Sequence, residues 1–332
     1  MEKEYQNGVS IVICYYNAGE RIKETLNHIK LQKERSFQNT ELILVDNAST
    51  DNTNRIIHDV MQDFDLFSWK IVKENKPGLA NARICGLKNV SFDLIVYCDD
   101  DNWLSADYLI NAEKILRENE FIGILGGKGD AVSSVEFPVW FDSVQNYYAV
   151  GPQMNKPGRV LGERNVVYGA GMVIRTSIFN ELLNQGFVFQ SLGRTKSNLN
   201  AGEDSELCLA VQIMGHQIFY DETLLFKHFI TPKRLTEDYF IKMKNGMSKS
   251  GFYVKFYRDY FLGKSINEIP SNFWLKELVY SFIVLLRSFF RSKIDWYRIL
   301  FLLKEKSQFD ENAKLILMVC KKLDSLNIVN ND

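Results

Sequence analysis

The sequence predicts an α/β protein: a mixed, mostly parallel central sheet flanked by helices, followed by a helical C-terminal region. Three observations carry this. Short apolar runs alternate with segments of helical spacing through the first half of the chain. Those runs end in polar residues, and sheets of this kind bind ligands at the carboxyl ends of their strands. After Thr236 the spacing is helical throughout.

The elements follow in order. Residues 9–14 are a buried strand and 21–32 a helix. Residues 41–45 are a second strand, with a helix from about Asp51 capped by Ser49 or Asp51. Residues 69–72 are a third strand, and 79–90 a helix carrying the small residues Ala80, Ala82 and Gly86. Residues 93–98 are a fourth strand. Ser105 then caps a helix with Leu109, Ala112, Ile115 and Leu116 on its apolar side. Residues 121–125 are a fifth strand. From 126 to 160 the pattern reads as a polar and aromatic loop; a strand (166–175), a helix (203–214) and a short strand (224–229) follow.

Composition narrows the functional classes. A chain of 332 residues is long enough for about two units, and 46% hydrophobic residues exclude a disordered one. No apolar run reaches the roughly 18 residues of a spanning helix, and residues 1–8 do not read as a secretory leader. Cys14, Cys85, Cys98, Cys208 and Cys320 are odd in number and lack CxxC spacing, so they read as reduced residues of a cytoplasmic protein. A net charge of -1 argues against nucleic-acid binding. That balance conceals an asymmetry. Residues 1–226 carry 21 Lys+Arg against 30 Asp+Glu, and residues 227–310 carry 16 against 8. The basic part begins near residue 230 and points to different partners.

Four clusters could carry chemistry. Asp99-Asp100-Asp101-Asn102 follows the fourth strand, and alternation sends Asp99 and Asp101 to one side and Asp100 to the other. A shared hard divalent cation would hold such carboxylates while keeping open positions for a substrate phosphate. A solvated turn capping the next helix is the plainer alternative, and both stand at this point. An EF-hand is excluded, because its Gly and distal Glu are missing. Asp204 stacks over Cys208 and Val211 in a first helical turn, which favours its ionised form by roughly 0.3–1 kcal/mol, so it could act as a base. Asn200-x-x-Glu203 resembles a capping box, a structural reading for Glu203. Asp46 closes the second strand and could accept hydrogen bonds from a nucleobase or ribose. Arg83 suits a planar carbonyl or a phosphate, with a surface salt bridge as its alternative.

Five motifs in this order resemble a family-two glycosyltransferase with a GT-A fold, of the bacterial surface-glycan type. They are Ile11 through Asn17, Val45 through Asp51, Asn75 through Arg83, the DxD motif Asp99-Asp100-Asp101, and Gly202 through Leu207. One departure is Cys14-Tyr15, where many members carry Pro-Thr before Tyr-Asn. The resemblance implies a catalytic domain over 1–235, with a nucleotide-binding half near 8–128 and an acceptor half near 129–235, ahead of a helical region over 236–332. It implies that Tyr15, Asp46 and Arg83 hold the nucleoside and Asp99 touches the ribose or sugar. Asn17, Asp100 and Glu203 complete the nucleotide-sugar set. Asp101 would hold Mn2+ or Mg2+, Asp204 would be the catalytic base, and Arg234 would reach the diphosphate. His228 would be a second metal ligand, or simply a packed side chain.

The implied reaction is an inverting transfer from a nucleoside-diphosphate sugar to a hydroxyl of a glycan or lipid-linked acceptor, with UDP favoured because Asp46 can accept an imide N–H. A nucleotidyltransferase and a non-catalytic sugar-nucleotide-binding or scaffold protein are the alternatives. No Gly-rich phosphate loop follows the first strand, which argues against the former and against a dinucleotide-binding dehydrogenase. In the basic third, Leu278, Phe282, Leu285 and Phe289 form one helical face opposite Glu277, Ser281, Ser288 and Arg291; Trp296, Tyr297, Leu300 and Phe301 follow. This pattern suits a membrane interface on the inner face of the cytoplasmic membrane, or equally a packing or dimer face.

Overall fold

The computed structural model describes residues 4–33, 39–161, 165–194, 199–263, 273–287, 299–300, 302–303 and 306–329. The chain forms two compact units, Met1–Glu181 with His216–Thr236, and Leu182–Gly215 with Glu237–Asp332. The segment 182–215 thus groups with the C-terminal helices, not with the sheet where a boundary at 235 would put it.

The first unit holds the sheet. Its strands are β1 (Gln6–Tyr15), β2 (Thr40–Asp46), β3 (Ser68–Lys73), β4 (Phe92–Asp99), β5 (Asn102–Leu104), β6 (Ile122–Val132), β7 (Gly158–Arg159), β8 (Val173–Arg175) and β9 (Gln217–Phe229). They run in the order β3-β2-β1-β4-β8-β6-β9-β5, with β7 beside β9. Pairing is parallel across β3-β2-β1-β4 and between β6 and β9; β8, β5 and β7 pair antiparallel. The helices are α1 (Ile22–Lys30), α2 (Thr53–Met61), α3 (Leu79–Asn89), α4 (Tyr108–Glu118) and α5 (Thr176–Asn184).

The continuous apolar runs of β1 and β2 are buried on both faces, as central parallel strands must be. The partly exposed β3 closes one edge. Gly86 explains how closely α3 lies on β1: a Cβ there would sit 2.5 Å from Val12 Cγ1.

Several local expectations are corrected. The strand expected to stop at 125 continues to Val132. Gly126, Gly127 and Gly129 look like breakers, yet they let Val167, the Leu224 carbonyl and the Ala149 carbonyl approach β6 closely. The strand expected over 166–175 is confined to Val173–Arg175, and the one expected at 224 begins at Gln217. α2 starts behind Asn52, not behind Ser49 or Asp51, and α4 behind Asp107, not Ser105. The capping box at Asn200-x-x-Glu203 does not form, because Gly202 is the N-cap and Glu203 opens the helix.

The second unit contains α6 (Glu203–Ile213), α7 (Glu237–Phe261), α8 (Phe273–Arg287) and α9 (Lys306–Val329). α6 is buried along almost its whole length. α8 departs from the amphipathic expectation. Its polar residues Glu277 and Ser281 are buried, and Glu277 pairs with Lys255 of α7 at 3.1 Å. Leu275, Val279, Phe282 and Ile283 are 41–51% exposed. The expected stripe members Leu285 and Phe289, and also Ser288, Arg291, Trp296, Tyr297 and Phe301, lie outside the described side chains.

Candidate functional site

Parallel register brings three expected residues to one edge of the first unit. Tyr15 is paired with Asp46, and Cys14 with Asp99, so β1, β2 and β4 end together. The loops beyond them are stitched by side chains. Asn17 takes a left-handed φ of 45°; its Oδ1 accepts the Thr50 N–H at 2.8 Å, and its own N–H donates to Ser49 Oγ at 3.1 Å. Asp46 is buried and already engaged: Oδ1 accepts the Ser49 N–H at 2.8 Å and Oδ2 accepts Asn54 Nδ2 at 2.9 Å. The Tyr15 hydroxyl donates to Asn54 Oδ1. Asn54, absent from the expected set, therefore links Tyr15 to Asp46. Burial, followed by the charges of Asp46 and Asp51, pushes the Tyr15 phenol up.

Arg83 sits in α3, which starts at Gly78 with φ 129°. It is 2% exposed, with its guanidinium carbon 5.5 Å from the Tyr97 ring centroid, so it is no surface salt bridge. A buried guanidinium over an aromatic face is held rigidly and desolvated.

The acidic turn is built by Asn102. Its Oδ1 accepts the Asp99 N–H at 3.2 Å and its Nδ2 donates to Asp101 Oδ1 at 3.3 Å. The turn sends Asp100 and Asp101 to different cations. Asp100 receives both Nε and Nη2 of Arg21, at 3.1 and 2.8 Å. Burial pushes the Asp100 carboxyl up against that pull.

Asp101 faces β9 and the turn after it. β5 pairs with the end of β9, placing Asn102 opposite His228, and the Phe229 N–H donates to the Asp101 carbonyl at 2.8 Å. Pro232 opens a short 3-10 turn that brings Arg234 back. The Arg234 Nη1 then lies 2.8 Å from Asp101 Oδ2 and 3.3 Å from His228 Nε2, and His228 Nε2 is 3.4 Å from the same carboxylate oxygen. Tyr148 supports the set: its carbonyl is 2.6 Å from His228 Nδ1, and its hydroxyl donates to the Arg234 carbonyl at 3.0 Å.

These partners assign the imidazole tautomer. A carbonyl only accepts, so Nδ1 carries the proton, and Nε2 turns its lone pair to the guanidinium. Burial opposes ionisation of Asp101, but His228 when charged, then Arg234 and Arg21, hold its carboxyl well below the usual carboxylate range.

The donor set fits a hard divalent cation as a half-site. Among the described residues, no group of three or more His, Cys, Asp or Glu side chains is placed to hold a metal. Asp101 and His228 supply two donors, and such ions usually take one or two carboxylates and complete their shell with phosphate oxygens and water. A cationic nitrogen already stands between the two donors.

Glu203 and Asp204 belong to the second unit, at the start of α6. Gly202 opens that helix with φ 124°. Glu203 is buried, whereas Asp204 is half-buried and its Oδ1 accepts the Ser205 N–H at 2.7 Å. Glu206 was not among the expected site residues. It is fully buried and accepts the N–H groups of Gln190 and Ser191, each at 2.8 Å. Burial pushes its carboxyl up to about 8 despite those two bonds.

A model of glycosyl transferase family 2 matches residues 10–183, more than half the chain, including β2, β3, β4 and most of β1. The chain belongs to that family. Among curated relatives, a poly-beta-1,6-N-acetyl-D-glucosamine synthase of Staphylococcus aureus is 30% identical over 100 residues, covering 30% of this chain and 23% of the relative. Glycosyltransferase GlyG of Streptococcus pneumoniae is 30% identical over 118 residues, covering 36% of this chain and 38% of GlyG. The match thus spans well under half the length of either relative. Among solved structures, S. aureus TarS 1-349 in complex with UDP-GlcNAc aligns with a TM-score of 0.56 at 13% identity, covering 98% of this chain and 91% of that one. The mannosyltransferase PcManGT from Pyrobaculum calidifontis, in complex with GDP-Man and Mn2+, aligns at 0.54 and 16% identity, covering 99% and 89%. At such identities the likeness is one of fold, and the family-2 chain has the GT-A architecture of these neighbours.

Proposed function

We propose that this family-2 chain is a metal-dependent, inverting glycosyltransferase that moves a sugar from a nucleoside-diphosphate sugar to a hydroxyl of a glycan or lipid-linked glycan. The observation that carries the reading is the convergence of Asp101 Oδ2 and His228 Nε2 on a single cationic position beyond the end of β4. Two structural neighbours, one in complex with UDP-GlcNAc and one with GDP-Man and Mn2+, support it.

In this proposal Asp101 and His228 hold Mn2+ or Mg2+. The ion, when bound, neutralises charge on the departing diphosphate. Tyr15, Asn17, Asp46 and Arg83 surround the nucleoside, with Asp99 at the ribose or sugar, while Asp100 fixes the turn through Arg21. Glu203 supports the start of α6. Asp204 accepts the proton of the acceptor hydroxyl as its oxygen attacks the anomeric carbon. One base and one displacement invert the configuration, and such a base contributes typically 10²–10⁴-fold. Uridine is favoured because Asp46, though engaged on both oxygens, keeps lone pairs for an imide N–H.

We further propose that the chain works against an anionic membrane surface. No described helix is long and apolar enough to cross a membrane. The outward Leu275, Val279, Phe282 and Ile283 of α8 and the basic balance of residues 227–310 both suit lying on one.

The test is a thermal-shift screen of UDP-, TDP-, GDP- and ADP-sugars with and without Mn2+, followed by release of the nucleoside diphosphate. The proposal expects the largest shift with a UDP-sugar plus Mn2+, and turnover with it. A GDP- or ADP-sugar binding more tightly would overturn the base assignment, and ligand binding without any turnover would favour a binding protein.

A further inference from the structure

Arg234 occupies the position that the proposed metal ion would need. Its Nη1 lies 2.8 Å from Asp101 Oδ2 and 3.3 Å from His228 Nε2, the two atoms proposed to hold the divalent ion. All three side chains are at least nine-tenths buried, so neither charge is screened by water. A guanidinium and a divalent cation cannot share that space.

The surroundings define where each group can move. Asp101 is fixed by the Asn102 turn and His228 by the Tyr148 carbonyl. Arg234 is fixed at its backbone, where its N–H donates to the Thr231 carbonyl at 2.9 Å and its carbonyl accepts the Tyr148 hydroxyl. Its guanidinium carbon lies 5.9 Å from the Tyr148 ring centroid. Arg234 is the longest side chain of the three, and it is the group that would have to move for an ion to reach the two donors.

Resting on the metal reading of the proposed function, we infer that Arg234 is a resident counter-ion which the divalent cation must displace, so that Asp101 exchanges one cation for another. The guanidinium holds Asp101 and His228 in ligating geometry without the metal. On exchange it is released toward the anionic diphosphate, which enters with the ion and supplies a new partner for the displaced charge. Metal and nucleotide therefore bind with positive coupling, and the metal alone binds less well, because no diphosphate then meets the displaced charge. Arg234 is in this account a positioning residue whose removal makes the bare cation bind better, the reverse of what loss of a structural salt bridge would do.

The experiment titrates Mn2+ into the full chain without nucleotide and with UDP, following free Mn2+ by electron paramagnetic resonance. It uses wild type, Arg234→Gln, Arg234→Lys and Asp101→Ala. Arg234→Gln should bind Mn2+ alone at least about fivefold more tightly than wild type, the lower end of ordinary coupling between ligands. UDP should then improve Mn2+ binding less in Arg234→Gln than in wild type. Arg234→Lys, which keeps a cation beside Asp101, should stay close to wild type. If Arg234→Gln unfolds, a wild-type measurement serves: the Arg234 Nε–Hε resonance should shift during Mg2+ titration with UDP. Equal or weaker Mn2+ binding by Arg234→Gln, or an unmoved Arg234 resonance, would overturn the exchange while Asp101-dependent binding of Mn2+ with UDP left the proposed function standing. No Mn2+ binding by wild type even with UDP would overturn both.

Discussion

The chain carries two acidic clusters, one in each unit, and they are neutralised in opposite ways. Asp100 and Asp101 of the first unit face side-chain cations: Arg21 on one and Arg234 on the other, with the His228 imidazole beside it. Glu206 of the second unit faces the backbone N–H groups of Gln190 and Ser191. A side-chain counter-ion can swing away and be replaced. A backbone donor in an ordered loop cannot. The first cluster is therefore suited to receiving a ligand and the second to holding a loop, although both look alike as runs of Asp and Glu in the sequence. Asp204 is half-buried, two residues before the fully buried Glu206, and the proposed function gives it the role of base.

The sharpest way to break that contrast is within the second cluster. Asp204→Asn should keep UDP affinity and lose at least about a hundredfold in turnover, the lower end for loss of a general base. Glu206→Gln should keep turnover within a few-fold. Steady-state kinetics on both variants checks this. Near-normal turnover by Asp204→Asn would move the base to Glu203.

The next effect is on stability and pH. The Glu206 carboxyl is raised from about 4.5 in an open chain to about 8 in the fold. The folded form therefore retains a proton that the unfolded form gives up. This group's contribution is complete below about pH 4.5 and is lost as pH rises through about 8. Thermal melts from pH 5 to 9 should fall with pH in wild type and fall less in Glu206→Gln. At pH 6 that variant should be less stable by about 1 kcal/mol, because its amide can accept only one of the two backbone bonds. Parallel pH curves for the two proteins would remove Glu206 from the account.

The smallest expected effect concerns the outer face of α8. Full-length protein should co-sediment with anionic vesicles, less so as salt rises, since each Lys or Arg near such a surface contributes about 1 kcal/mol. Phe282→Asp should reduce the bound fraction at low salt without altering UDP binding. A dimer that sheds vesicle binding but resists dilution would make this face a protein contact instead.

The fold was legible where one principle dominated. Buried runs such as residues 9–14 and 41–45 are too short for helices and became central strands, and each ended in the polar residues expected of a ligand-binding edge. Reading failed where tertiary contact overrode local signal. The glycines of β6 imitate a loop, and their use is visible only when Val167 and Leu224 lie against them. Capping residues were misplaced by one to three positions, because the helices that start behind Asn52, Asp107 and Gly202 do so with no side-chain cap.

The site followed the same division. Asp101 could be singled out from its motif, and His228 and Arg234 entered through the resemblance. Their convergence depends on β5 pairing with β9 and on the Pro232 turn, which no spacing in the sequence displays. Arg21 and Asn54 gave no signal at all, since each acts on a partner 79 or 39 residues away in the chain. On α8, periodicity found an apolar face but could not say which side would be covered; the buried side proved to be Glu277 and Ser281.

The central claim is that Asp101 holds the cation on which donor binding depends. Isothermal titration of UDP into wild type and Asp101→Ala, each with and without Mn2+, tests it most directly, with circular dichroism confirming that the variant is folded. The account predicts that Mn2+ strengthens UDP binding at least about tenfold in wild type and leaves the variant unchanged. Equal strengthening in both proteins would contradict it and place the metal elsewhere.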